Sequence, residues 1–277
     1  MTTQDFLIPG DPGKRAFLLA AMVMGILCVL GCLAHYFTTR ERVKAEETAE
    51  EKIRLLDAFK MLFACRSWVM NTLYALCYAI LNLLVLSTLH YFAPYVLGAS
   101  SSATLIMAVY LVMSLIFSVL SVPIDRKLGR RNPMISAAVV YDVGKIWFVI
   151  DPCMASVMVT AISVAYAATV AFVEFSTNRN NIVDIIEWKE HRRLDSLVST
   201  CANLIVKLSK AGASLLMTSA LAATGFNAEL AVQPESAINA INELIGWVPM
   251  CFALVMIVVA VFHPIEKETA AMQADKN

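Results

Sequence analysis

Charge is scarce in this sequence. Only 16% of its 277 residues are charged and 59% are apolar, whereas an average soluble domain has about 25% charged residues. The 22 basic residues are balanced by 22 acidic ones, so the cationic excess of a nucleic-acid-binding protein is absent. This composition argues against an ordinary soluble domain and predicts a polytopic membrane protein.

Residues typical of catalytic and metal sites are also few. The four histidines are not paired at metal-ligand spacing and no Ser/His/Asp constellation stands out, so we expect no enzyme, no metal and no cofactor. The seven cysteines are scattered without a CxxC pair. Their spacing argues against a disulfide framework or a zinc site and favours a role as small apolar side chains.

Long apolar runs, in contrast, are abundant. A membrane-spanning helix needs about 20 mainly apolar residues, and seven stretches meet that requirement. The first run is longer than the core of a signal peptide, so we interpret it as a span. The predicted fold is an all-α polytopic membrane helix bundle with spans at 16–37, 68–92, 103–122, 133–150, 153–175, 196–224 and 240–262.

These spans predict four regions along the chain. Residues 1–37 hold an N-terminal segment and the first span, and residues 38–67 form a polar connection. Residues 68–264 form a six-helix bundle, and residues 265–277 form a tail. In the connection, Leu55, Phe59 and Leu62 recur at helical spacing, which favours an interfacial amphipathic helix over a solvated loop.

Basic residues occur in alternate connections only. Lys and Arg lie in 38–67, in 125–131, in 189–193 and after residue 264, but are absent from 94–102, 151–152 and 225–239. The positive-inside rule places the basic segments in the cytoplasm. We therefore expect a multi-pass protein of the cell (inner) membrane with its C-terminus inside and its N-terminus outside. Lys14 and Arg15 disagree with that orientation.

A few charges fall inside or next to the predicted spans, where charged residues are usually paired or functional. Asp142 and Lys145 are three residues apart, so they either neutralise each other or line a cavity. Glu174 lies at the end of the fifth span, followed by a polar run and Asp184. That run is either the wall of a water-filled passage or the end of an emerging helix.

Lys207 is the most deeply placed charge. It lies about 16 Å along the sixth predicted span, near mid-membrane, which is too far from the surface for its side chain to reach water. Asn203 is one turn earlier on the same face. We therefore expect Lys207 to face an aqueous cavity or a carboxylate, and we favour a cavity in which Lys207 binds substrate or couples to a cation.

Residues 183–208, VDIIEWKEHRRLDSLVSTCANLIVKL, resemble the signature of the glycoside–pentoside–hexuronide:cation symporters of the major facilitator superfamily. Asp184, Glu187 and Trp188 match the turn after the family's tenth span, and Lys207 matches a lysine of its eleventh span. FTTRERV at 37–43 and DRKLGRR at 125–131 resemble its exit from span six and its loop between spans eight and nine.

The resemblance implies a symporter that moves a sugar or glycoside together with Na⁺ or H⁺, with membrane lipid as its surroundings and no other cofactor. Substrate would be bound at Lys207, with Asn203 and Phe175 beside it. The groups expected to act in gating or coupling are Asp184, Glu187, Arg192, Arg193, Glu174, Asp142 and Lys145.

The sequence departs from the family in three ways. The loop after Trp188 is about three residues shorter, and the polar run 176–181 replaces a more apolar helix end. The seven spans correspond to the family's spans six to twelve. We therefore expect the N-terminal half to be absent, leaving either a half-transporter that needs a partner chain or a non-transporting remnant. A seven-span receptor is a less favoured alternative.

Overall fold

The computed structural model describes residues 12–38, 55–99, 101–191, 194–230 and 232–276, and in these ranges the chain forms helices and no strands. Seven helical segments are long and apolar enough to cross a membrane, the last of them being 235–275, which contains more than one helix. This confirms the all-α membrane bundle. The helices are α1 Pro12–Thr38, α2 Leu55–Ala64, α3 Arg66–Tyr95, α4 Ser101–Leu128, α5 Arg131–Ile150, α6 Met154–Glu190, α7 Asp195–Ala223, α8 Glu235–Ile245, α9 Trp247–Val261 and α10 Ile265–Lys276.

The chain divides into two units, residues 1–52 and 53–277. The described part of the first unit is α1, a single apolar helix. The second unit holds α2 to α10. In it, α3 packs against α6, α7, α8 and α9, while α6 packs against α4 and α5. The core between these helices is built from small and aromatic side chains such as Tyr74, Phe92, Tyr141 and Phe148.

Helix α6 is much longer than its predicted span, 153–175. It runs unbroken for 37 residues, about 55 Å at 1.5 Å per residue, whereas the hydrocarbon core of a bilayer is about 30 Å thick. The end of α6 therefore extends beyond the membrane. Ile182, Ile185 and Ile186 of that end are buried in a second apolar cluster, with Leu62 of α2 and Met272 of α10.

The predicted last span, 240–262, is not one helix. It breaks at Gly246, whose backbone angles (φ −88°, ψ −97°) are not helical. Pro249 lies in the first turn of the following helix, where proline is tolerated, but it has no amide hydrogen for the carbonyl of residue 245 and would clash with that carbonyl in a continuous helix. The break is the consequence.

Residues 265–276 were expected to be part of a tail, but they form α10, which packs on α6. The predicted amphipathic helix before the second span corresponds to α2. Residues 39–54 of the same connection lie outside the described residues. All seven cysteines lie in the described ranges and are free thiols, three of them buried.

Helices α5 and α6 approach closely at Gly144. A Cβ atom added there would overlap the side chain of Ser163, so the contact depends on the missing side chain, as is common where small residues join membrane helices. We predict that Gly144→Ala lowers the free energy of unfolding by about 1–2 kcal/mol, because the overlap outweighs the helix propensity of alanine. Thermal unfolding of the purified protein in detergent measures this.

Two further variants show whether the overlap is the cause. Ser163→Gly removes the side chain that the new methyl group meets, so Gly144→Ala combined with Ser163→Gly should recover stability relative to Gly144→Ala alone. Gly212→Ala in α7, where nothing lies within 4 Å of an added Cβ, should be tolerated. Equal loss in the Gly144 and Gly212 variants would refute the close approach.

Candidate functional site

A stripe of polar side chains runs along the exposed part of α7. Asn203, Lys207, Lys210, Ser214 and Thr218 are spaced three or four residues apart and are all exposed, so they share one face of the helix. Next to them around the helix is an apolar stripe of Leu204, Leu208 and Leu215, which are 54%, 62% and 70% exposed. The core of the bundle covers the remaining face, which includes Val198, Ala202 and Ala213.

The polar stripe, defined as the five residues above, borders the packing site of Phe175. The ring of Phe175 is buried between Ala75 of α3 and Ala202 of α7, with Val206 packed against this group. The guanidinium carbon of Arg179 lies 5.8 Å from the centre of the ring, within cation–π range. Phe175 is therefore next to the stripe but is covered in this conformation.

Several buried polar side chains lie where α3, α5 and α6 pack together near Phe175. The side-chain amide of Asn71 donates to the carbonyl of Phe175 at 3.3 Å, and the hydroxyl of Tyr74 donates to the carbonyl of Met134 at 3.1 Å. Glu174 is 1% exposed and Asn178 is fully buried. Glu174 also interacts electrostatically with Tyr74. The carboxyl group of Glu174 is therefore in the protein interior, not at an exposed helix end.

Asp142 and Lys145, both within the described residues, interact electrostatically but do not form an ion pair. The ammonium of Lys145 is fully buried and donates to the carbonyl oxygen of Ile245. It also lies 4.5 Å from the centre of the Tyr141 ring. Mutual neutralisation of Asp142 and Lys145 therefore does not account for Lys145 alone, because Lys145 also has a hydrogen-bond partner on another helix.

Only part of the expected cytoplasmic gate lies within the described residues. Asp184 and Glu187 are exposed on the protruding end of α6, which ends at His191 in the left-handed conformation (φ 51°). Arg192 and Arg193 lie outside the described residues. The expected pairing of Asp184 with one of these arginines therefore stays a prediction.

Acidic side chains of α10 make several polar contacts at this end of the bundle. Glu266 accepts hydrogen bonds from the backbone amides of Arg130 and Arg131, at 3.1 Å each, where a carboxylate suits the N-terminus of α5. Asp275 accepts from the indole of Trp188 at 2.8 Å.

Glu268 makes two contacts. It accepts a hydrogen bond from the buried hydroxyl of Ser67 at the start of α3, and it forms an ion pair with Lys189 at 2.7 Å. Burial raises the pKa of the neighbouring Cys65 thiol, so this thiol does not readily form a thiolate. Helix α10 thus connects the ends of α3, α5 and α6.

Sequence reasoning missed these α10 carboxylates, because residues 265–277 were interpreted as a tail. The sequence did contain a signal for a helix here, because Glu266 and Glu268 are acidic residues in what is its first turn. The role of Lys145 could also have been anticipated. Pro249 marks a carbonyl that lacks its helical donor, and a buried lysine is a strong candidate for replacing it.

Comparison with known proteins gives one family. The family model described as MFS/sugar transport protein matches residues 6–267. An isoprimeverose transporter of Lactiplantibacillus pentosus is 22% identical over 265 residues, which are 94% of this chain and 54% of that protein. The chain spans about half the length of this curated relative.

The contacts of Glu268 predict that Glu268→Ala lowers stability more than Lys189→Ala does. Glu268→Ala removes the acceptor of a buried hydroxyl, which costs about 1–3 kcal/mol of stability. Lys189→Ala removes only a partly exposed ion pair, worth about 0–1 kcal/mol. Thermal unfolding in detergent should therefore show a clearly larger loss for Glu268→Ala. A loss of the same size in both variants would show that Ser67 does not depend on Glu268.

Proposed function

Because the chain belongs to the MFS/sugar transport protein family, we propose that it forms one bundle of a cation-coupled sugar symporter, in which the polar stripe of α7 lines the sugar pathway. The family is one of transporters. Membership confirms the resemblance to sugar transporters of the major facilitator superfamily and the expectation of a multi-pass membrane protein.

The exposure of Lys207 at membrane depth is the observation that supports this proposal. A lysine placed in hydrocarbon costs at least about 2.5–3.5 kcal/mol, and Asn203, Ser214 and Thr218 on the same face are also poorly suited to lipid. The face that carries them is therefore expected to meet water or another protein surface. The leucine stripe beside it suits lipid.

A second bundle is the partner that this face requires in our proposal. Transporters with alternating access move two repeats or bundles around a binding site near the membrane midplane. The chain spans about half of its curated relative, and the polar stripe lies on the surface of the bundle. Sugar hydroxyl groups would be held between Lys207 and Asn203 on this side and residues of the second bundle opposite.

We further propose that Na⁺ or H⁺ drives the cycle and that the protruding end of α6 belongs to the cytoplasmic gate. Glu174 is the buried carboxyl nearest this end, and Asp184 and Glu187 are exposed beyond it. The orientation with α10 in the cytoplasm and the location in the cell membrane belong to the same proposal. The relative's name makes isoprimeverose the first sugar to test.

Uptake of labelled sugar into membrane vesicles from cells that express the gene tests the role of Lys207. We predict that Lys207→Ala lowers the initial uptake rate by at least about tenfold, which corresponds to the loss of about 1.4 kcal/mol of interaction. Lys207→Arg should retain more activity than Lys207→Ala because it keeps the charge.

Lys60→Ala, at an exposed lysine of α2, is the matched control and should leave uptake unchanged. The amount of protein in the membrane is measured for each variant by immunoblot. Uptake by Lys207→Ala equal to that of the unmodified protein would remove Lys207 from the mechanism. Absence of sugar uptake by every form, at normal expression and in vesicles that also contain the second bundle, would contradict the transport proposal itself.

A further inference from the structure

The break at Gly246 leaves the backbone carbonyl of Ile245 without its helical partner. In a continuous α-helix the carbonyl of Ile245 would accept from the amide of residue 249. Residue 249 is proline, which has no amide hydrogen. Ile245 is fully buried, so water does not reach it from the surface, and an unpaired carbonyl at membrane depth is costly.

Lys145 supplies the missing donor. Its ammonium reaches across from α5 and donates to the Ile245 carbonyl. Both partners have 0% exposure, so this hydrogen bond is shielded from competing solvent.

Two neighbouring groups also interact with the Lys145 side chain. The carboxylate of Asp142, one turn earlier in α5, interacts electrostatically with Lys145. The face of the Tyr141 ring lies 4.5 Å from the ammonium. The carbonyl itself lies at the C-terminus of α8, where the helix dipole attracts a cation.

The backbone is closely packed at the same point. A Cβ atom added at Gly246 would lie 3.1 Å from both the side chain of Val149 in α5 and the carbonyl of Asn242. Helix α9 packs extensively on α3 and α5, and α8 packs on α3. The break is therefore held against α5 by packing and by the hydrogen bond from Lys145.

We propose that Lys145 is a positioning residue of this bundle: its ammonium replaces the amide hydrogen that Pro249 lacks, and it holds the break between α8 and α9 in place against α5. Lys145 acts through the backbone of the last span and does not touch substrate. This assignment differs from the coupling role expected from its sequence, and it does not depend on the proposed transport function.

The proposal predicts how two substitutions combine in their effects on thermal stability. Lys145→Met keeps the length and apolar stem of the side chain but removes the donor, so it should lower the thermal midpoint of the purified full chain in detergent by about 3–8 °C. Pro249→Ala restores an amide at residue 249. In the double variant Lys145→Met/Pro249→Ala, that amide can bond the Ile245 carbonyl, and at least half of the lost stability should return.

Two controls accompany this cycle. Pro249→Ala alone should change the midpoint little, because the carbonyl already has a partner. Lys127→Met, at an exposed lysine of α4, should change it little with or without Pro249→Ala. If Lys145→Met does not accumulate as folded protein, the yield of folded protein with and without Pro249→Ala replaces the midpoint as the measurement.

Recovery of stability by Pro249→Ala that occurs only in the Lys145→Met variant supports the proposal. A general stabilising effect of Pro249→Ala would appear in the unmodified protein and in Lys127→Met as well. Additive effects of the two substitutions would overturn it, since they would show that Lys145 and residue 249 do not serve the same carbonyl. An unchanged midpoint in Lys145→Met would overturn it as well.

Discussion

The cost of an unpaired polar group in hydrocarbon is the constraint on which this structure depends. Lipid offers no hydrogen bonds, so each charge and each free carbonyl within the membrane needs a partner inside the protein or an aqueous cavity. Lys145 and the Ile245 carbonyl satisfy this requirement for each other. The polar stripe of α7 instead remains on the surface of the bundle. The same rule that makes Lys145 a structural residue makes Lys207 a functional candidate.

The physical difference between these two lysines lies in what surrounds them. Both lie in apolar helices, and both are expected from the sequence to take part in binding or coupling. Lys145 is fully buried and has an acceptor on another helix. Lys207 is exposed beside Asn203. Burial with a fixed partner indicates a role in packing, whereas exposure within a membrane helix indicates a surface that something polar must cover.

Much of the fold can be predicted from the lengths of the apolar runs in the sequence. Apolar runs of about 20 residues determine the existence of the seven membrane helices, because hydrocarbon thickness fixes their length. The continuation of α6 to Glu190 could not be predicted in the same way, since its end is stabilised by tertiary contacts with α2 and α10. The packed α10 was missed for the same reason: its three acidic side chains contact residues that lie far from them in the chain. Lys207 and Asn203 could be placed on one face from spacing, but the burial of Phe175 depends on how α3 and α7 pack around it.

The central claim is that the polar stripe of α7 faces water or a second bundle, and its leucine neighbours face lipid. Single cysteines at Asn203, Ser214 and Thr218, compared with cysteines at Leu208 and Leu215, test it in native membranes after the seven native cysteines have been replaced. The measurement is the rate of reaction with a charged, water-soluble thiol reagent. We predict faster reaction along the polar stripe than along the leucine stripe, and slower reaction at Asn203 when the transported sugar is present. Equal rates on both stripes, or faster reaction at the leucine positions, would contradict this account.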